Sequence, residues 1–165
     1  MKKITTSIAI LLLLAGTFFS CNNEKEDYFD EPIDVPFTVF SMTYGDNSFW
    51  LRTSCRWVSL TSQPDEIVII NSDKELRNFH VCIEESDFPT IDFSKYTLLL
   101  VRSMQHATVR ILDQNLQQLS YRNYVINIWV SQSGIATAIP WHIAIITDKL
   151  NSDARIRLNV IPYPF

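Results

Sequence analysis

The side chains able to do chemistry in this chain are few: three histidines, three cysteines and a scatter of carboxylates. The histidines are His80, His106 and His142. Nucleophilic catalysis needs a thiol or hydroxyl within hydrogen-bond reach of a base, and a third group to orient that base. Cys82 stands two residues from His80, and on a helix that spacing turns the two side chains apart. A metal site built from His80, Cys82 and Glu84 or Glu85 would have neither helical nor zinc-ribbon spacing. Glu84, Glu85, Asp87 and Asp92 include the residue types that cleave glycosidic bonds in pairs, but their setting is that of a solvated loop. Three glycines in the whole chain leave no phosphate loop, dinucleotide fingerprint or nucleophile elbow. The expectation is a protein that is not an enzyme and that uses no metal and no cofactor. Binding chemistry is better represented, by Trp50, Trp57, Trp129 and Trp141. Alternation turns Trp57 and Trp141 toward a core and sets Trp129 opposite Ile126 and Ile128. Trp50 and Trp129 are therefore the candidate ligand contacts, flat faces on which a sugar ring can stack.

The elements that must position these residues are mostly strands. Phe37 to Thr43 is rich in β-formers, and Phe49 to Leu60 alternates with Leu51, Thr53, Cys55 and Trp57 on one face. Glu66 to Ile70 is a short apolar strand. Ser72-Asp73-Lys74-Glu75 has the spacing of a capping box and predicts one helix from Asp73 to about Val81, with Leu76, Phe79 and His80 toward the sheet. Thr97 to Val101 holds four apolar residues in a row, as in a strand covered on both faces. Ala107 to Leu112 pairs across a turn at Asp113-Gln114-Asn115 with a weak segment, Leu116 to Ser120. Tyr124 to Val130, Trp141 to Thr147 and Ala154 to Val160 complete the set, the last alternating as a strand with one wet face. The fold class expected is α+β: a mainly antiparallel β-sheet or partly closed barrel with one short helix.

The N-terminus sets the address. Lys2 and Lys3 precede an unbroken apolar run from Ile8 to Ala15, too short to span a bilayer as a permanent helix. The run gives way at Ser20-Cys21 to the polar tract Asn22-Asn23-Glu24-Lys25-Glu26-Asp27. This arrangement resembles a bacterial lipoprotein signal, in which the chain is cut before the cysteine and the thiol carries diacylglycerol. The resemblance implies lipidation at Cys21, and Asn22 in place of aspartate implies the outer membrane, on its periplasmic or surface face. The acidic tract is similar to the export tract of surface lipoproteins of the Bacteroidota. Residues 1–20 are then a removed signal peptide, residues 21–36 an acidic flexible tether and residues 37–165 a single β-rich domain.

Charge narrows the partners. Residues 21–36 carry six acidic side chains against Lys25 alone, whereas residues 37–165 carry 12 Asp and Glu against 11 Lys and Arg. The acidity belongs to the tether, and with no basic field nucleic acid is set aside as a partner. With Cys21 committed to lipid, Cys55 and Cys82 remain as a candidate disulfide, the alternative being two separate buried thiols. Ile91-Asp92-Phe93-Ser94-Lys95-Tyr96-Thr97-Leu98-Leu99-Leu100, followed by Ile139-Pro140-Trp141-His142-Ile143, resembles small Bacteroidota-type surface lipoproteins and the C-terminal domain family of a bacterial protease-complex subunit. That likeness implies a protein partner and no catalytic residues, with a protease accessory or inhibitor acting through a loop such as Gly134 to Pro140 as its sharpest form. A carbohydrate-binding lipoprotein using exposed tryptophans is the alternative.

Overall fold

The computed structural model describes residues 27–44, 55–58, 65–105, 108–134 and 139–163. Cys21, Trp50 and His106 lie outside the described residues, as do residues 135–138 of the loop before Pro140. The chain forms β1 (Tyr28–Asp34), β2 (Phe37–Tyr44), β3 (Cys55–Trp57), β4 (Glu66–Ile70), α1 (Asp73–Leu76), β5 (His80–Cys82), β6 (Tyr96–Gln105), β7 (Thr108–Ser120), β8 (Asn123–Ser133), β9 (Ile139–Asp148) and β10 (Arg155–Pro162). A 3-10 turn, Glu85–Asp87, sits between β5 and β6. One sheet has the order β1-β7-β8-β10, a second β2-β9-β6-β4, and β3 pairs with β5 in a two-stranded ribbon. Every pairing is antiparallel except that of β10 with β8.

The two four-stranded sheets stack around one core. Leu99, Val101, Ile143 and Ile145 from the second sheet meet Ile111, Leu116, Ile126, Ile128 and Val130 from the first. A further core lies on the far face of the second sheet, where Leu98, Leu100 and Ala144 pack with Ile70, Leu76 and Ile91. The four-residue apolar run of β6 follows from that arrangement: Leu98, Leu99, Leu100 and Val101 are all 0% exposed, alternating between the two cores. Trp57, Phe79 and Phe88 roof the second core from the ribbon side. No barrel closes among the described residues; the architecture is a β-sandwich with a small third layer.

Three expectations are corrected. The helix is a single turn. Ser72 Oγ accepts the Glu75 amide at 3.2 Å and the Glu75 carboxylate accepts the Asn71 amide at 2.6 Å, so the cap forms as its spacing demands. A helix so short depends on packing, and here Phe79 and His80 are drawn away to extend the ribbon, with the Val58 amide bonded to the Phe79 carbonyl. The turn expected at Asp113-Gln114-Asn115 does not form. β7 runs through it as 13 residues, with a register shift between Ile111 and Asp113, and the reversal falls after Ser120. Polar residues in a row read as a turn, but here Asp113 and Asn115 take the outer face of a long strand and Gln114, opposite Ile128, the other face. Lastly, Tyr28–Asp34 within the stretch read as tether is β1, an edge strand on β7. Its acidic side chains and Pro32 are what an exposed sheet edge carries against adding further strands.

Candidate functional site

The sheet of β1, β7, β8 and β10 turns one face to the sandwich core and leaves the other to solvent. Period two along β8 puts Val125, Asn127, Trp129 and Ser131 on the outer face, Val125 itself covered to 4% exposure, with Ile126, Ile128 and Val130 fully buried behind them. Asn115, Asn127 and Asn159 stand at one register across three strands. Asn127 Nδ2 donates to Asn115 Oδ1 at 2.8 Å, and Asn159 Nδ2 donates to Asn127 Oδ1 at 2.8 Å. The next row holds Asp34, Gln117, Val125 and Arg157 in register across all four strands. Gln117 Nε2 donates to Asp34 Oδ1 at 3.0 Å, and Gln117 Oε1 accepts from Asn127 at 3.5 Å. A ladder of amides thus crosses the sheet, with a carboxylate at the β1 edge and Arg157 at the β10 edge.

Trp129 lies one pleat beyond the amide row, about 7 Å along the strand, paired with Asp113 on one side and Ile161 on the other. Its side chain is half-buried, and Leu112, at the register shift beside it, is exposed. An indole presents an apolar ring face with one N–H donor at its rim, and each primary amide has two donors and two acceptor positions. In the described contacts Asn115 and Asn159 each use a single hydrogen bond in the ladder, so donors and acceptors of both remain toward solvent. The surface can grip a partner that is apolar on its faces and hydroxylated at its rim.

A second cluster lies under the ribbon. Cys55 pairs with Cys82 and Trp57 with His80 across β3 and β5, so four side chains share one face. The cysteines form a disulfide, S–S 2.02 Å, their Cα atoms 3.9 Å apart. The helical spacing argument that separated His80 from Cys82 fails because the segment is a strand, and residues two apart on a strand point the same way. The sulfurs of Cys55 and Cys82 and a ring nitrogen of His80 lie within 4.8 Å of one another. Trp57 Nε1 donates to Ser41 Oγ at 2.8 Å, tying the ribbon to β2. His80 packs on Trp57 with centroids 4.6 Å apart, and His142 of β9 approaches the same indole at 5.9 Å. His80 Nδ1 and His142 Nε2 are buried with no hydrogen-bond partner among the described residues. Burial and the neighbouring His80 hold the His142 pKa down to about 4, and burial also lowers that of His80, so both rings are neutral at pH 7.

No family model, curated protein or solved structure matches the chain. The site therefore rests on geometry alone. Two of the four carboxylates weighed for glycoside cleavage are engaged locally: Glu85 is bidentate to Arg77, and Asp92 accepts from the Ser94 hydroxyl and pairs with Lys95. Both acids are held below the usual carboxylate range by those partners. Trp141 is buried in the sandwich core and Trp57 half-buried over the second. Sequence reasoning missed the amide ladder. Its signal was an asparagine near the middle of the wet face of each of three strands, at Asn115, Asn127 and Asn159.

Proposed function

We propose that this chain is a lipid-anchored binding module of the bacterial envelope, and that the outer face of the β1-β7-β8-β10 sheet holds a neutral polysaccharide. The observation that carries the reading is Trp129 standing beside the amide row of Asn115, Asn127 and Asn159 on one open sheet face. Sugar hydroxyls donate and accept at once, which is what a primary amide complements, and the C–H face of a pyranose is the apolar surface an indole stacks on. Anchoring follows from the lipoprotein-like signal ending at Cys21. A protein partner, the other macromolecule implied by the sequence, would be met through the Gly134 to Pro140 loop, most of which lies outside the described residues.

The test is affinity electrophoresis of the full chain carrying Cys21→Ser through gels containing single neutral polysaccharides. At least one glycan should retard the protein, and Trp129→Ala should weaken that binding at least about tenfold, or 1.4 kcal/mol. Asn127→Ala should cost less, because neighbouring amides remain. Retardation that survives Trp129→Ala intact would refute the site. If no glycan in the panel retards the chain and cross-linking on cells captures a protein, the partner is a protein.

A further inference from the structure

We infer that opening the Cys55–Cys82 disulfide creates a binding site for a thiophilic d10 cation, zinc being the probe, with both cysteine sulfurs and a ring nitrogen of His80 as ligands. The three ligand atoms already lie within 4.8 Å of one another. In a tetrahedral zinc site, with Zn–S about 2.3 Å and Zn–N about 2.0 Å, ligand atoms sit about 3.5–3.8 Å apart. Once the S–S bond opens, the sulfurs need only part by side-chain rotation on a backbone that already faces them together. That backbone is paired at Cys55 with Cys82 and at Trp57 with His80, which fixes which side chains share the face.

The histidine is presented as a metal ligand needs to be. His80 is 8% exposed, and its Nδ1 is buried with no hydrogen-bond partner among the described residues. A polar atom left so is stabilised by gaining a ligand. Trp57 at 4.6 Å and Phe40 and Phe88 at 6.1 Å pack against the ring. Both cysteines are only half-buried, which leaves the ion a path in. Two thiolates and one imidazole select zinc or cuprous copper over magnesium or calcium.

The chemistry balances with a thiol reductant of the dithiol class. The dithiol gives two electrons and two protons to the Cys55–Cys82 bond and closes into its own disulfide, leaving two cysteine thiols. The cation then displaces both thiol protons to solvent as the two metal–sulfur bonds form.

The experiment uses the full chain carrying Cys21→Ser, so that Cys55 and Cys82 are the remaining cysteines. Samples oxidised, or reduced with a water-soluble phosphine that becomes its oxide, are titrated with zinc against a chromophoric chelator. Reduced protein should take up one zinc per chain and oxidised protein none. His80→Gln in the reduced state should weaken binding at least tenfold. X-ray absorption at the zinc edge of the otherwise unaltered reduced chain should show two sulfurs at about 2.3 Å and nitrogen or oxygen at about 2.0–2.1 Å, a reading that does not depend on a variant folding. Uptake by the oxidised protein, no uptake by the reduced protein, affinity unchanged by His80→Gln, or a zinc shell without two sulfurs would each overturn the site.

Discussion

Mild acid should destabilise this domain through His142. The ring is 4% exposed on β9, its Nε2 lacks a partner among the described residues, and its folded pKa is about 4 against 6.5 when free. A histidine with a depressed pKa stays neutral in the native state while the unfolded chain binds a proton. Stability is therefore full above pH 6.5 and falls as pH drops toward 4. Evaluating that linkage between pH 7 and pH 5 gives a loss of about 2 kcal/mol from His142 alone. His80, lowered in the same direction by burial, adds to it. The groups around His142 do not offset the loss. Arg102, its cross-strand neighbour, is bound to Glu66, and Trp57 carries no ionisable group. The carboxylates with lowered pKa, Glu85 and Asp92, lose their partners' support only below about pH 4.5, outside this window. For a domain of this size the loss corresponds to a fall in Tm of about 6 °C. Thermal unfolding followed by circular dichroism at pH 7, 6 and 5 measures it, with His142→Phe as the comparison. The variant should keep an aromatic ring against Trp57 and flatten most of the pH slope. A parent Tm that is the same at pH 7 and pH 5, or an undiminished slope in His142→Phe, would refute the reasoning.

Further outcomes follow from packing and pairing. Replacing both Cys55 and Cys82 by alanine opens a loop with a sequence separation of 27 and should cost about 3.5 kcal/mol in urea unfolding. Leu99→Ala and Leu100→Ala each remove a side chain that is 0% exposed, one from each core, and should each cost about 2–5 kcal/mol. Leu112→Ala, at 46% exposure, should stay within about 0.5 kcal/mol, and a large loss there would contradict the outward placement of the β7 register shift. Glu66→Gln removes the ionic partner of Arg102, which is 5% exposed. It should cost about 2 kcal/mol, below the usual figure for a buried pair because Glu66 is partly solvated.

The fold was legible where one physical rule acted alone. The apolar run Leu98-Leu99-Leu100-Val101 declared a strand with two covered faces because no other setting buries four neighbours at once. Alternation around Ile126, Ile128 and Trp129 likewise told inside from outside before any coordinates. Reading failed where two rules competed. Ser72 and Glu75 signal a helix start, but nothing local says how long the helix lasts, and pairing of His80 with Trp57 ended it after one turn. Asp113-Gln114-Asn115 satisfies turn chemistry and strand wetness equally, and only the partner β8 decides. The amide ladder was illegible for another reason. Asn115, Asn127 and Asn159 are far apart in sequence, and their register is set by strand order, including a parallel pairing that local sequence does not encode.

That β1 is a strand changes how far the domain can stand from its proposed anchor. A spacer running from Cys21 to Pro36 would allow a stand-off of up to about 55 Å. With Tyr28 already stitched to Ser120, seven peptide steps remain between Cys21 and the sheet, at most about 25 Å. An acylated Cys21 would hold the Tyr28 end of β1 within that distance of the bilayer, so that a bulky folded partner approaching this edge would meet lipid headgroups.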